Sequence, residues 1–284
     1  MKLLYLSLYH SLSFYVSFYV ALGVMILMPT SLYAYDVDTQ LPPCKPLSYT
    51  KLFHTQQQLH YIEKSPSHLH RHAPIVFALH GLGDQAKNFA KLYRFFPKEW
   101  RVIFVEAPIK YGRGFAWYRF RCQQQNEDLI LSVELFNQLV TQFRQKYPRA
   151  AVGVFGFSQG GVMSLRSVDQ APSLYHAFAS LSGYWMSPKV LAHSHTTTHS
   201  QSTSQSHTTS QSHPAKPLLF ITHGQQDSVV DFKEFTEAIQ VFKKKNYQVQ
   251  SYPFQGKHRI PAHSMHALIQ FFTKTFTQKR TSHQ

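Results

Sequence analysis

The sequence predicts an α/β protein built on a mostly parallel central sheet with helices on both faces. Short, continuously apolar runs alternate with longer helical patterns, which is what parallel strands joined by helical crossovers produce. The chain has 284 residues, 43% of them hydrophobic, enough for one large domain with a real core. Taken in order, Gln57–Ile62 is a weak strand candidate, while Ala73–Leu79 and Val102–Val105 are strongly apolar strands. A helical pattern covers Glu127–Tyr147. The next apolar strand, Ala151–Phe157, is followed at once by a second helix over Gln159–Val168. Ala177–Leu181 and Leu218–Thr222 are again buried-strand runs. The helix Phe232–Lys245, the weak strand Tyr247–Tyr252 and the helix Ala262–Thr273 close the series. In such a sheet, ligands and chemistry sit at the carboxyl ends of the strands.

Charge narrows the partners. Lys and Arg number 29 against 14 Asp and Glu, a formal net charge of +15, yet only 15% of residues are charged. That balance excludes a highly charged disordered chain, and two cysteines exclude a disulfide-dense scaffold. A basic surface suits an anionic partner. No arginine-rich stripe, zinc finger, recognition helix or aromatic RNA-binding motif accompanies it, so nucleic acid is not expected. Lys243, Lys244, Lys245, Lys274, Lys279 and Arg280 fall near helix ends, where they complement helix dipoles or face an anionic membrane surface.

The ends and the middle stand apart from the alternating region. Lys2 precedes an apolar run densest over Phe14–Met28, then Pro29, Thr30 and Ser31, with Ala34 before the first acid, Asp36. This order reads as a secretory signal cleaved after Ala34; its length also suits a retained anchor, and a mis-started cytosolic chain is a third reading. Under the first two, the protein works outside the cytoplasm, periplasmic or secreted. Residues 1–34 are therefore set aside, 35–56 form a lead-in, 57–275 the folded domain and 276–284 a basic tail. In an oxidising compartment Cys44 and Cys122 could pair, adding about 3–4 kcal/mol by chain entropy; two unpaired thiols are an equal alternative. The segment His193–His213 contains only His, Ser, Thr and Gln and reads as a disordered insertion. Its histidines lack the fixed spacing of a zinc site, and no metal or cofactor is expected.

The chemistry-bearing residues follow the strands. Gly156-Phe157-Ser158-Gln159-Gly160 lies between an apolar strand and a helix, the context in which a serine sits on a sharp strained turn. Its neighbours two places away must be glycines to avoid colliding across that turn. A serine needs a base, and the base needs an orienting acid. Asp227 follows the strand Leu218–Thr222, and His258 lies in the loop before the last helix, giving the chain order Ser, acid, His. Asp231 and Glu234 compete for the acid role but belong to the next helix, and His263 and His266 compete for the base from within the last one. An oxyanion also needs donors. The Gln159 amide is one candidate; the Leu82 amide, in the loop Leu79-His80-Gly81-Leu82-Gly83-Asp84, is the other. His80 and Asp84 read as residues that order that loop.

Together with Leu181-Ser182-Gly183, His223-Gly224-Gln225-Gln226-Asp227 and Gly256-Lys257-His258, these motifs resemble the phospholipase/carboxylesterase branch of the α/β-hydrolases, which includes bacterial carboxylesterases and acyl-protein thioesterases. The resemblance spans about residues 57–275. It implies an α/β-hydrolase fold in a single domain without a large cap, with Ser158 as nucleophile, Asp227 as orienting acid and His258 as base. It also implies Leu82 and Gln159 as oxyanion amides. Gly114-Phe115-Ala116-Trp117-Tyr118 is similar to the family's aromatic loop, which would make Trp117 part of a pocket wall. Arg119 stands where family members often have an acid, and so suggests an anionic ester. The expected activity is hydrolysis of short- to medium-chain carboxylic esters, small molecules, through an acyl-enzyme. The alternatives are an acyl-thioesterase or lysophospholipase, and a non-catalytic, envelope-associated binding protein.

Overall fold

The computed structural model describes residues 41–44, 58–65, 71–188 and 216–281. The apolar run before Ala34 and the insertion 193–213 lie outside the described residues. The strands are β1 (Tyr61–Lys64), β2 (Ile75–Leu79), β3 (Arg101–Val105), β4 (Ile109–Tyr111), β5 (Gly114–Ala116), β6 (Val152–Phe157), β7 (Ala177–Leu181), β8 (Leu218–Gly224) and β9 (Val249–Phe254). The helices are α1 (Ala86–Phe89), which continues as a 3-10 turn to Phe95, α2 (Gln125–Lys146), α3 (Gln159–Gln170), α4 (Phe232–Lys244) and α5 (Ala262–Thr281).

Seven strands form one sheet in the order β1-β3-β2-β6-β7-β8-β9, and β4 and β5 make a separate antiparallel hairpin. Only β1 runs antiparallel, against β3; every other pair in the large sheet is parallel. This is the architecture expected of an α/β-hydrolase. Every residue of β2, β3 and β7 is buried, as parallel strands covered on both faces require. The alternating side chains divide into two cores. Ile75, Phe77, Ile103, Val154 and Ile221 pack with α2, α3 and α4 residues such as Phe136, Leu165 and Phe242. Val76, Val102, Phe155 and Phe220 pack with Phe89, Trp100, Leu268 and Phe272 on the other face. Gly153 has a specific reason: a Cβ there would stand 2.8 Å from Phe272 and 2.9 Å from Phe276.

Three expectations need correction. The first strand begins at Tyr61 rather than Gln57, because register with β3 sets it: Tyr61 pairs with Val105 and Lys64 with Val102. The proposed tail from 276 onward is helical as far as Thr281, and Phe276 is buried, so the domain does not end at residue 275. The lead-in is likewise not wholly separate. Cys44 is disulfide-bonded to Cys122 across 78 residues, and the Cys44 amide donates to Gln124 Oε1 at 2.9 Å.

The crossovers position the site. From β2 the chain passes to β3 on one side, while β2 pairs with β6 on the other, so the strand order reverses between β2 and β6. A crevice opens at the carboxyl ends of strands at such a point. The loops leaving β2 and β6 carry Leu82 and Ser158.

Candidate active site

Ser158 has φ 54° and ψ −118°, a conformation that a side-chain-bearing residue holds only when its surroundings enforce it. The surroundings are two backbone approaches. A Cβ on Gly156 would lie 1.9 Å from the Gly160 carbonyl oxygen, and one on Gly160 would lie 2.1 Å from that of Leu79. The Ser158 amide donates to the Leu181 carbonyl at 2.9 Å, and the Val162 amide donates to the Ser158 carbonyl at 3.1 Å. The hydroxyl-bearing residue is thus pinned between β7 and the first turn of α3.

Asp227 stands in the loop after β8 and its carboxylate is fully engaged. Oδ1 accepts from the Val229 and Val230 amides, each at 2.9 Å, and Oδ2 accepts from His258 Nδ1 at 2.7 Å. Burial opposes ionisation, but the Val230 amide, His258 and the Val229 amide outweigh it and hold the carboxyl below its ordinary range. With Nδ1–H given to the acid, the neutral His258 ring presents Nε2 as a lone pair. The ring packs against Phe157, the residue before Ser158, with centroids 4.8 Å apart. The loops carrying acid and base are joined: the Gln226 amide donates to the Gly256 carbonyl at 2.9 Å, and Gly224 leaves room for the same oxygen.

The competing residues are occupied elsewhere. Asp231 caps α4, accepting from the Lys233 amide at 2.9 Å, and Glu234 lies in that helix's first turn. His263 and His266 are exposed on α5, their rings against Phe254 and Phe95.

The two candidate oxyanion amides lie on touching loops: a Cβ on Gly81 would be 3.4 Å from Ser158 Cβ and 3.1 Å from the Phe157 ring. Among the described residues, no backbone carbonyl accepts from the Leu82 or Gln159 amide outside regular helix and strand pairing. The Leu82 loop is braced from beneath. His80 is wholly buried; Nδ1 donates to the Gly81 carbonyl at 2.8 Å and Nε2 accepts from the Ala107 amide at 3.1 Å. That pattern fits a neutral ring, and burial lowers its pKa despite the Gly81 bond and nearby Glu106 and Asp84. Glu106 Oε2, 3.7 Å away, therefore faces a neutral imidazole and forms no ion pair.

Trp117 and Arg119 are placed differently from expectation. Trp117 is 0% exposed, and its indole N–H donates to the His80 carbonyl at 2.9 Å. With no accessible surface it props the Leu82 loop and lines no open pocket wall. The Arg119 guanidinium grips Asp128 through Nε at 2.7 Å and Nη2 at 2.9 Å. A bidentate pair of that kind neutralises the cation that an anionic ester would need. The side chain of Gln159 has a role that its motif conceals. Its Oε1 accepts from the Trp117 amide at 3.1 Å and its Nε2 donates to the Tyr118 carbonyl at 3.0 Å. His223 lies wholly buried beside Asp227, although as a motif it only preceded the acid. Among the described residues no group of three or more His, Cys, Asp or Glu side chains is arranged to hold a metal ion.

Comparison with known proteins bears on the family and the fold. Residues 63–276 match the family model described as Phospholipase/Carboxylesterase. Over 228 residues the chain is 24% identical to acyl-protein thioesterase 1 of Neurospora crassa, covering 72% of this chain and 87% of that one. Among solved structures, the Bacillus cereus carboxylesterase superposes with a TM-score of 0.61 at 14% identity, covering 79% of this chain and 98% of that chain. Zea mays acyl-protein thioesterase 2 gives a TM-score of 0.57 at 19% identity, covering 76% and 99%. At those identities the superpositions speak for the fold.

Proposed function

Because the chain belongs to the phospholipase/carboxylesterase family, we propose that it is a serine hydrolase cleaving short- to medium-chain carboxylic esters through an acyl-enzyme. The observation that carries this is the Asp227 Oδ2–His258 Nδ1 hydrogen bond at 2.7 Å, on a ring that packs against Phe157, the residue before a serine held at φ 54°. Ser158 Oγ attacks the acyl carbonyl carbon while His258 Nε2 takes its proton. Asp227 holds the ring in the required tautomer and stabilises the imidazolium. The Leu82 and Gln159 amides receive the oxyanion. Collapse expels the alcohol, which takes the proton back from His258; water then attacks the acyl-enzyme by the same route and releases the acid.

Ser158→Ala is the test. It should cut turnover of a short nitrophenyl ester by at least about 10⁴-fold and abolish fluorophosphonate labelling while the fold is retained. Full activity in that variant overturns the proposal. An intact chain that neither turns over esters nor labels is the non-catalytic, envelope-associated binding protein instead.

A specific observation favours a second reading, an acyl-thioesterase or lysophospholipase. Tyr111 is 51% exposed, Phe120 46% and Val229 69%. All three belong to segments that carry or back the site: Tyr111 lies against Gly83, Phe120 follows Trp117 by three positions, and Val229 follows Asp227 by two. Apolar side chains on such loops suit a lipid-like acyl donor. Activities on nitrophenyl esters, acyl-thioesters and lysophospholipids separate the readings. Export is our inference from the Cys44–Cys122 disulfide, since such bonds persist in oxidising compartments. Cell fractionation and N-terminal sequencing of the mature protein test it.

A further inference from the structure

His223 ends β8, with Gly224, and has no solvent exposure. Its Nε2 stands 2.9 Å from the Val230 carbonyl and 3.4 Å from Asp227 Oδ2, the same oxygen that accepts from His258. A carbonyl only accepts, so Nε2 must carry the hydrogen, and one N–H reaches both the Val230 oxygen and the carboxylate. Its other nitrogen, Nδ1, is buried with no hydrogen-bond partner among the described residues. The ring is held at its edges by Phe232 and Phe235, with centroids 6.0 and 6.1 Å away. Burial lowers its pKa despite the Val230 bond and the charge of Asp227, in keeping with a neutral Nε2–H ring.

The loop from Gly224 to Val230 is short and turns back on itself, with the Asp227 amide donating to the Gly224 carbonyl at 3.1 Å. Val230 is its anchor at both atoms. Its amide donates to Asp227 Oδ1, and its carbonyl accepts from His223. Releasing that carbonyl frees the amide that fixes the carboxylate, and with it the plane of the His258 ring. We propose that His223 is a positioning residue for Asp227: its Nε2–H clamps Val230 and shares Oδ2, so that the carboxylate meets His258 Nδ1 in one orientation. This rests on the serine-hydrolase reading above, and concerns how its acid is held.

Three substitutions test it with a short nitrophenyl ester. His223→Gln puts an amide nitrogen near the position of Nε2; His223→Asn puts one near the unpartnered Nδ1; His223→Phe keeps the ring shape without a donor. His223→Phe and His223→Asn should each lose kcat by about tenfold to a hundredfold, with KM unchanged within about twofold. His223→Gln should recover kcat to within about threefold of the parent. Melting curves confirm that the compared proteins are folded, and the Gln–Asn pair decides the matter if Phe does not fold. Full kcat in His223→Asn overturns the proposal, as does an Asn-like loss in folded His223→Gln. Ser158→Ala separates the positioning role from the hydrolase reading. If that variant is inactive while His223→Asn is fully active, the positioning role fails and the hydrolase reading stands. If Ser158→Ala retains turnover, the hydrolase reading itself fails.

Discussion

The main-chain amide of Gln159 opens α3 beside Ser158, while its side chain bridges the Trp117 amide at 3.1 Å and the Tyr118 carbonyl at 3.0 Å. An amide side chain is suited to this because it donates and accepts at adjacent atoms. Gln159→Glu removes the donor and directs a carboxylate at the Tyr118 carbonyl within a buried site. Gln159→Ala leaves the Trp117 amide and the Tyr118 carbonyl unpaired. Each change should destabilise the fold by about 1–3 kcal/mol, the cost of an orphaned buried polar group. Chemical denaturation monitors this directly, and unchanged midpoints for both variants would refute the bridge. Activity should fall too, because the segment that bears Trp117 also supports His80 through the indole N–H. His80 and Trp117 then have a common reading: both hold a loop in place, and neither is needed to touch substrate.

At the scale of elements, the β4–β5 hairpin stands outside the main sheet and backs the Leu82 loop. The Gly83 amide donates to the Phe115 carbonyl at 2.8 Å, and the Phe115 amide donates to the Asp84 carbonyl at 3.0 Å. A Cβ on Gly114 would meet the Gly83 carbonyl oxygen at 2.0 Å, so the two backbones touch. Gly114→Ala must push the loop away from the hairpin. We expect ester turnover to drop about a hundredfold, as for a misplaced oxyanion donor, with the far-UV circular dichroism unchanged. Wild-type turnover in that variant would show that the loop needs no backing. This hairpin was not legible in the sequence, since two three-residue strands carry too little apolar pattern. The buried strands were legible because continuous apolar runs such as Ile75–Leu79 and Ala177–Leu181 have no other stable location. The edge strand β1 was blurred by its exposed residues, and α5 was cut short although Phe276 follows Phe272 by one helical turn. The candidates borne by local motifs, Ser158, Asp227 and His258, could be named from spacing, and the structure joins Asp227 to His258 by a hydrogen bond. The partners of Arg119, Trp117 and His223 could not, because Asp128 and Val230 are met through irregular loop conformation and His80 through tertiary packing, neither of which leaves a pattern in the sequence.

For the whole molecule, acid should weaken the fold by two routes that salt separates. The chain carries a formal net charge of +15 and 18 histidines, so lowering the pH adds like charge to a surface already positive. That repulsion acts through solvent and is screened, the Debye length shrinking from about 10 Å at 0.1 M salt to about 3 Å at 1 M. The second route is internal. His80 and His223 are held neutral, with pKa values lowered by burial from an ordinary 6.5. Below pH 6.5 the unfolded chain takes up protons at these rings that the native protein refuses, so unfolding gains and stability falls with pH. Asp227 adds a later loss of the same sign: its carboxyl is depressed below 3.8, so its contribution is present above that value and disappears as pH falls through the native pKa. Urea midpoints should therefore hold steady above pH 6.5 and decline from there toward pH 5, first through the histidines. At about 1 M sodium chloride the decline should shrink but persist, because a ring with no exposure is not screened by ions. A folded His223→Gln variant should lose less between pH 7 and pH 5 than the parent, since the amide does not titrate. A decline that vanishes entirely in high salt would assign the acid sensitivity to surface repulsion, and one that His223→Gln leaves at full size would remove His223 from the internal route.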